Sequence, residues 1–294
     1  MTREENRRGT RAVIVISSHV ARGSVGNRAA VFTLEALGFP VWAVPTVILP
    51  WHPGHGPATR IVPEPDQFAR FVSDLQHAPW LGEVSAVLSG YLGDPEQANA
   101  IAGLVETLKS RNPEARYVCD PVLGDRGGLY VPEPTAAAIR DKLLPLADIT
   151  TPNRYELAWL TGVDTDGTDS AIRAARKAAP AEVLVTSAPE SSPDRLANLL
   201  VGKRQVLRAA HDSIPKAPNG TGDLTAALYL ARLLAGESEE EALAKTTGSV
   251  VAILNRATER GSDELMLETD RQILTRPQMM IEIERVAGSV SAQG

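Results

Sequence analysis

The sequence predicts an α/β fold built on a mostly parallel sheet with helices on both faces. Two observations carry this. Short runs rich in Val and Ile recur along the chain and read as buried strands. Stretches with helical apolar spacing lie between several of them, and that alternation is the pattern of a parallel sheet covered on both sides.

Taken in order, Ala12 to Ile16 is the first strand-like run. Asn27 to Leu37 follows as a helix, with Ala30, Leu34 and Leu37 on one face. Val41 to Ile48 and Val84 to Leu88 are the next strands, separated in part by a proline-rich loop from Gly54 to Pro65. A helix is expected from Pro95 to Lys109, because Asp94 is a good N-cap with proline at the first helical position. Ile101, Leu104, Val105 and Leu108 give it an apolar stripe. Tyr117 to Cys119 and Val183 to Thr186 are further strands, and Asp125 to Pro134 is a glycine- and proline-bearing loop. Leu199 to Val201 and Gln205 to Ala209, joined by Gly202-Lys203-Arg204, read as a hairpin. Two long helices follow, Asp223 to Leu234 and Ser238 to Leu254. Ser238 and Glu241 supply a capping box for the second. No repeat and no linker-like stretch appears. A single domain over residues 11–286 is therefore expected, with a small flap and flexible tails at 1–10 and 287–294.

Composition excludes several functions. At 294 residues and 43% apolar, the chain needs no disulfide or metal staple to hold a core. Its one cysteine, Cys119, removes intramolecular disulfides and Cys-based zinc sites, and suits a reducing compartment such as the cytoplasm. A net charge of -6 and 4% aromatic content argue against nucleic acid as a partner. The longest apolar stretch, Val41 to Trp51, is broken by Pro45, Thr46 and Pro50, so no membrane span is expected. The first ten residues lack the apolar core of a secretory signal.

Three runs have residue types suited to chemistry. In Asn219-Gly220-Thr221-Gly222-Asp223, two glycines let the backbone approach an anion, and the following helix points its free N–H groups at the same spot. Asp223 would accept a proton from a hydroxyl there; the alternative is a tight turn closed by an Asp N-cap. In Cys119-Asp120-Pro121-Val122-Leu123-Gly124-Asp125, a buried strand ends in a carboxylate where magnesium is useful; the alternative is a strand-end turn. Cys119 itself reads as a small buried hydrophobe. In Thr151-Pro152-Asn153-Arg154-Tyr155-Glu156, Asn153 and Glu156 fit a capping box, and equally place a second acidic group near a metal–phosphate site. His52-Pro53-Gly54-His55 lacks a third nearby ligand, which disfavours zinc. Walker A, a helix-opening G-x-G-x-x-G and G-x-S-x-G are absent. P-loop NTPases, Rossmann dehydrogenases and α/β-hydrolases lose ground accordingly.

In order along the chain, these runs resemble the pyridoxal kinases of the ribokinase-like superfamily. The matching stretches are Ser18-His19-Val20 with Gly23 and Gly26-Asn27, Trp42 with Pro45-Thr46-Val47, and Leu88-Ser89-Gly90-Tyr91-Leu92-Gly93. They continue with Cys119 to Asp125, Tyr130-Val131-Pro132, Thr151-Pro152-Asn153 with Glu156-Leu157, and Gly220-Thr221-Gly222-Asp223. The resemblance implies a three-layer α/β/α sandwich with a small flap over an ATP site. It implies phosphoryl transfer from MgATP to the 5′-hydroxymethyl group of pyridoxal, in a homodimer. Monovalent-cation dependence stays open.

By resemblance Asp223 is the base, and the N–H groups around Gly220, Thr221 and Gly222 form the anion hole. Asp120 and Glu156 hold or orient magnesium and the phosphates. Asn153 and Thr186 line the ATP phosphates, and Tyr130 lies on the flap. Ser18, Thr46 and Tyr91 hold the pyridine ring, with Val20 packed on it. Beside a helix dipole, Asp223 is expected to stay ionised and act as a weak base. The family often carries a Gln-Phe-Ser-Asn-His-like run where this chain has Val47-Ile48-Leu49-Pro50-Trp51-His52-Pro53-Gly54, on the vitamer side. That departure keeps two alternatives in view: a broad vitamer or hydroxymethylpyrimidine kinase, and a non-catalytic vitamer-binding protein.

Overall fold

The structure is a computed structural model and describes residues 11–286; the expected tails lie outside the described residues. The chain runs β1 (Ala12–Val20), α1 (Asn27–Ala36), β2 (Val41–Leu49), α2 (Pro65–His77), β3 (Val84–Ser89), α3 (Gln97–Arg111) and β4 (Arg116–Cys119). A two-stranded flap follows, β5 (Gly124–Asp125) and β6 (Gly128–Leu129), then α4 (Glu133–Ala138), β7 (Ile149–Thr150), α5 (Arg154–Thr161) and α6 (Thr168–Lys177). The remainder is β8 (Glu182–Pro189), β9 (Arg195–Gly202), β10 (Val206–Asp212), α7 (Thr221–Leu234), α8 (Glu239–Arg260), α9 (Arg271–Thr275) and β11 (Ile283–Arg285).

The nine-stranded main sheet has the order β11-β10-β9-β8-β7-β4-β3-β1-β2. From β2 to β8 every pairing is parallel; β9, β10 and β11 extend the sheet in antiparallel fashion. One face is covered by α2 and α3, whose Val72, Ile101 and Leu104 are buried with Ile14, Ile16 and Tyr117 of the strands. The other is covered by α1, α7 and α8. There Leu34, Tyr229 and Leu243 are buried with Val13, Val15 and Leu184. Burial on both faces is why β1 is almost continuously apolar up to Ile16.

This topology positions the site. β1 leads outward to β2, whereas its neighbour β3 leads the other way to β4. A crevice therefore opens between the carboxyl ends of β1 and β3, where ligands of open α/β sheets bind. β1 breaks register between Ser17 and His19, which turns its last residues toward that crevice.

Local structure departs from the expected elements in several places. The helix expected at Pro95 begins at Gln97 with Glu96 as N-cap. Asp94 instead closes a preceding turn, accepting from the Glu96 N–H at 2.8 Å. Gln97 bonds back to the Gly93 N–H (2.8 Å) and the Thr46 carbonyl (2.8 Å), so a tertiary contact sets the start. The last long helix continues past Leu254 to Arg260, with its Ser238/Glu241 capping box in place. The hairpin holds, with longer arms than the apolar runs alone suggest. β7 has two residues, too few for a periodic signal, yet bridges β4 and β8.

At the far end of the sheet from the crevice, the Tyr229 hydroxyl donates to Glu182 at the start of β8. Burial pushes the Glu182 carboxyl up to about 7. A group whose folded pKa is raised adds stability at low pH that is lost as pH climbs through the folded value. Glu182 should therefore cost stability between about pH 5 and pH 8. E182Q is expected to show a smaller fall in Tm than wild type over that range; parallel curves would remove Glu182 as a contributor.

Candidate active site

A cleft of about 900 Å³ lies over the carboxyl ends of β1, β3, β4, β7 and β8 and extends between the hairpin and α8. That is the upper end of the range for small-molecule sites, and leaves room for two ligands. Arg60, His52 and His211 are the basic side chains in its wall.

At the centre are Asp223, in the first turn of α7, and Asp120, just beyond β4. Both also line a small pocket beneath, with Ser17 of β1 and Gly90 after β3 and with Val15, Ala30, Leu88 and Ala226, directly at the β1/β3 crevice. Gly220 caps α7 with φ 94°, and the Ser24 carbonyl occupies the space a Cβ would need. Only glycine fits there. The loop before α1 is thereby pressed against the start of α7, and the Gly26 N–H donates to the Asp223 carboxylate. Gly26, at φ 55°, has Ser18 where its own Cβ would lie. Two helix N-termini thus face one carboxylate.

Asp223 stays mostly ionised near neutral pH, but its carboxyl lies above the ordinary range. Burial outweighs the two N–H donors and lifts its carboxyl to about 6. Asp120 is lifted further, to about 7, by burial and by the charge of Asp223. The Thr151 hydroxyl, 2.7 Å from its Oδ1, opposes that rise. Cys119, fully buried, is pushed up to about 12 and is no nucleophile.

Glu156 and Asn153 form the capping box of α5 and do more than cap it. Asn153 Oδ1 accepts from the N–H groups of Tyr155 (2.9 Å) and Glu156 (3.0 Å), and its Nδ2 donates to the Gly124 carbonyl (2.8 Å). Glu156 Oε2 accepts from the Asn153 N–H (2.8 Å), and Oε1 from that of Leu123 (2.9 Å). Helix start and flap base are tied to each other. Burial and the neighbouring Asp120 still hold Glu156 well above the carboxylate range.

Of the other expected residues, Ser18, Val20, Tyr91, Tyr130, Thr186, Thr221 and Gly222 line the cleft. Thr186 sits where β8 breaks register, and Ser187 beside it has φ 55°, so this bulge turns both toward the cleft. Thr46 is the exception. It is fully buried, outside the wall, and its hydroxyl donates to the Tyr91 carbonyl at 2.6 Å. It supports the Tyr91 loop from behind. Arg60, unremarked in the sequence, lies over the Tyr91 ring at 5.9 Å and donates to the Gly93 carbonyl at 2.9 Å. His52 lines the cleft with its Nδ1 accepting from the Gly54 N–H, while His55 turns away to Glu264 at 3.0 Å. Among the described residues no group of three His, Cys, Asp or Glu is arranged to hold a metal ion.

Residues 67–267 match the phosphomethylpyrimidine kinase family. The chain is 37% identical to "Pyridoxal kinase PdxY" of Rubrobacter xylanophilus over 94% of its own length and 97% of the relative's. It is 40% identical to "Pyridoxine/pyridoxal/pyridoxamine kinase" of Bordetella bronchiseptica over 87% of this chain and 92% of that one. Among solved structures, a pyridoxal kinase from Leishmania donovani in complex with ADP and pyridoxamine superposes with a TM-score of 0.89. It has 28% identity and covers 94% of this chain and 99% of that one. Ordered motifs, topology and these matches agree: the chain belongs to the phosphomethylpyrimidine kinase family, with pyridoxal kinases among its relatives.

Proposed function

We propose that the protein transfers the γ-phosphoryl group of MgATP to the 5′-hydroxymethyl group of pyridoxal. The observation that supports it most is Asp223 at the mouth of α7, beside Asp120, on the floor of a cleft large enough for two substrates. Phosphoryl transfer passes through a loose transition state, so positioning and charge neutralisation dominate. In this reading Ser18, Val20 and Tyr91 hold the ring, with Thr46 fixing the Tyr91 loop from behind. Asp223 orients the hydroxyl and takes its proton. A carboxylate lifted to about 6 is a better base near neutrality than an ordinary one. The N–H groups of Gly220, Thr221 and Gly222 face the transferring group as fixed dipoles. Asn153 and Thr186 flank the phosphates, and Tyr130 on the flap helps keep water out.

The donor set suits magnesium. Among the described residues no lysine pairs with the carboxylates at the centre and the one arginine of the cleft wall, Arg60, is engaged with Tyr91 and Gly93; Mg²⁺ typically takes one or two carboxylates together with phosphate and water. The Thr151 hydroxyl donates to Asp120 Oδ1, and among the described residues no donor reaches Oδ2, which makes Asp120 the ligand in this reading. Both Glu156 oxygens already accept N–H bonds, so Glu156 contributes charge and orders the flap base. Magnesium, when bound, neutralises phosphate charge. A homodimer in the cytoplasm is the assembly and location we expect. The altered wall at Leu49, His52, Pro53 and Gly54 supports one second reading, a kinase that also accepts hydroxymethylpyrimidine.

Purified protein with MgATP and pyridoxal should yield pyridoxal 5′-phosphate; binding of both without product would end the kinase reading. A competition between pyridoxal and hydroxymethylpyrimidine should favour pyridoxal, and the reverse preference would establish the second reading. D223N should retain pyridoxal binding and lose at least about a hundredfold in kcat. The wild-type kcat/KM should fall on acidification with a midpoint near 6, as Asp223 takes up a proton. A carboxylate whose folded pKa is raised favours the folded state at low pH and disfavours it above the raised value. Mg²⁺ held by Asp120 would supply the compensating charge that a proton supplies at low pH. It should therefore raise Tm more at pH 8 than at pH 5; equal shifts would remove the carboxylates as its ligands.

A further inference from the structure

We infer that Glu264 is a positioning residue for the acceptor: through His55 it holds the turn at residues 52–55 in place as a wall of the cleft. The inference rests on the kinase reading and concerns a group that stands behind the wall, outside the lining which that reading uses.

His52, Pro53 and Gly54 line the acceptor end of the cleft, and the turn that carries them has little of its own to hold it there. None of Pro53, Gly54 and His55 is buried, so no apolar side chain anchors it. Its other hydrogen bonds are internal. His52 Nδ1 accepts from the Gly54 N–H, and the His52 and Pro53 carbonyls accept from the N–H groups of His55 and Gly56. Trp51 Nε1 donates to the Gly56 carbonyl. Among the described residues, one hydrogen bond leaves residues 51–59, that between His55 Nε2 and Glu264 Oε1 at 3.0 Å. A carboxylate only accepts, so the imidazole N–H donates.

Glu264, in the turn that follows α8, is 8% exposed. Arg22 Nη1 donates to the same Oε1 at 3.1 Å, and the carboxylate fills the space that a Cβ at Gly23, φ 105°, would need. Among the described residues no donor reaches the buried Oε2. Burying a carboxylate in that way is costly, and an apolar side chain of the same length would fill the space without the cost. What the carboxylate supplies is a junction between three segments far apart in the chain: the glycine loop after β1, the turn after β2 and the turn after α8. Gly54 of the held turn abuts Asn219, just before the anion hole. A turn fixed by one bond to a charged group loses its place when that bond goes. The acceptor then binds only the fraction of molecules in which the wall is formed.

The test compares wild type, H55F, H55Q, E264M and H55F/E264M in steady-state kinetics with MgATP and pyridoxal, with Tm and amide hydrogen exchange recorded for each. H55F should raise the KM for pyridoxal about tenfold and leave kcat and the KM for ATP as they are, the signature of lost acceptor binding. H55Q, which restores an N–H donor, should bring the KM back toward wild type. E264M should raise it at least as much as H55F, and adding H55F to E264M should change it no further. Exchange at residues 54–56 should quicken in H55F while residues 221–234 keep their protection. An unchanged KM for pyridoxal in H55F, an equal rise in both KM values, a full H55F effect on top of E264M, or unaltered exchange at residues 54–56 overturns the inference and leaves the kinase reading intact. Should E264M lose its fold, failure of H55Q to restore the KM raised in H55F overturns it. If pyridoxal binds but not even wild type turns it over, the kinase reading falls alone, and the Kd for pyridoxal carries the same comparisons.

Discussion

Three carboxylates, Asp120, Glu156 and Asp223, line one cleft, and among the described residues no basic side chain pairs with them; the rest of the site is organised around that constraint. Unpaired buried charge is costly, and the protein offsets part of that cost. Neutral donors surround the group: N–H bonds from Leu123 and Asn153 reach Glu156, the Thr151 hydroxyl reaches Asp120, and the Gly26 N–H reaches Asp223. The remaining penalty raises all three carboxyls above their ordinary range. A centre left in this condition is suited to receive a cation together with an anionic substrate, and a negative overall charge is compatible with nucleotide binding for the same reason.

The glycines follow from this arrangement. Gly220 and Gly26 let two helix starts converge on Asp223, and neither position has space for a Cβ. The capping box at Asn153 and Glu156 is another case in which one set of bonds serves structure and site together. The residues that start α5 also fix the flap base, since Asn153 Nδ2 and Glu156 Oε1 both reach the strand that begins the flap or the loop before it. The cap the sequence offers is present, and the same two residues line the cleft.

What the sequence by itself determined is the architecture and the list of chemical groups. Buried strands announce themselves as apolar runs because both faces of a parallel sheet are covered, and glycine, aspartate and asparagine announce helix starts because few residues tolerate those backbone positions. Only the tertiary structure decided how those groups behave. Asp223 looked like an ordinary ionised N-terminal carboxylate, and burial among neighbours distant in sequence lifted it. Thr46 looked like a ring contact, and the Tyr91 loop covered it. Arg60 carries no local signal, because its place in the cleft wall comes from elements far apart in the chain. Periodicity reports which face of an element is apolar; pKa, exposure and hydrogen-bond partners depend on what packs against that face, and long-range contacts alone settle that.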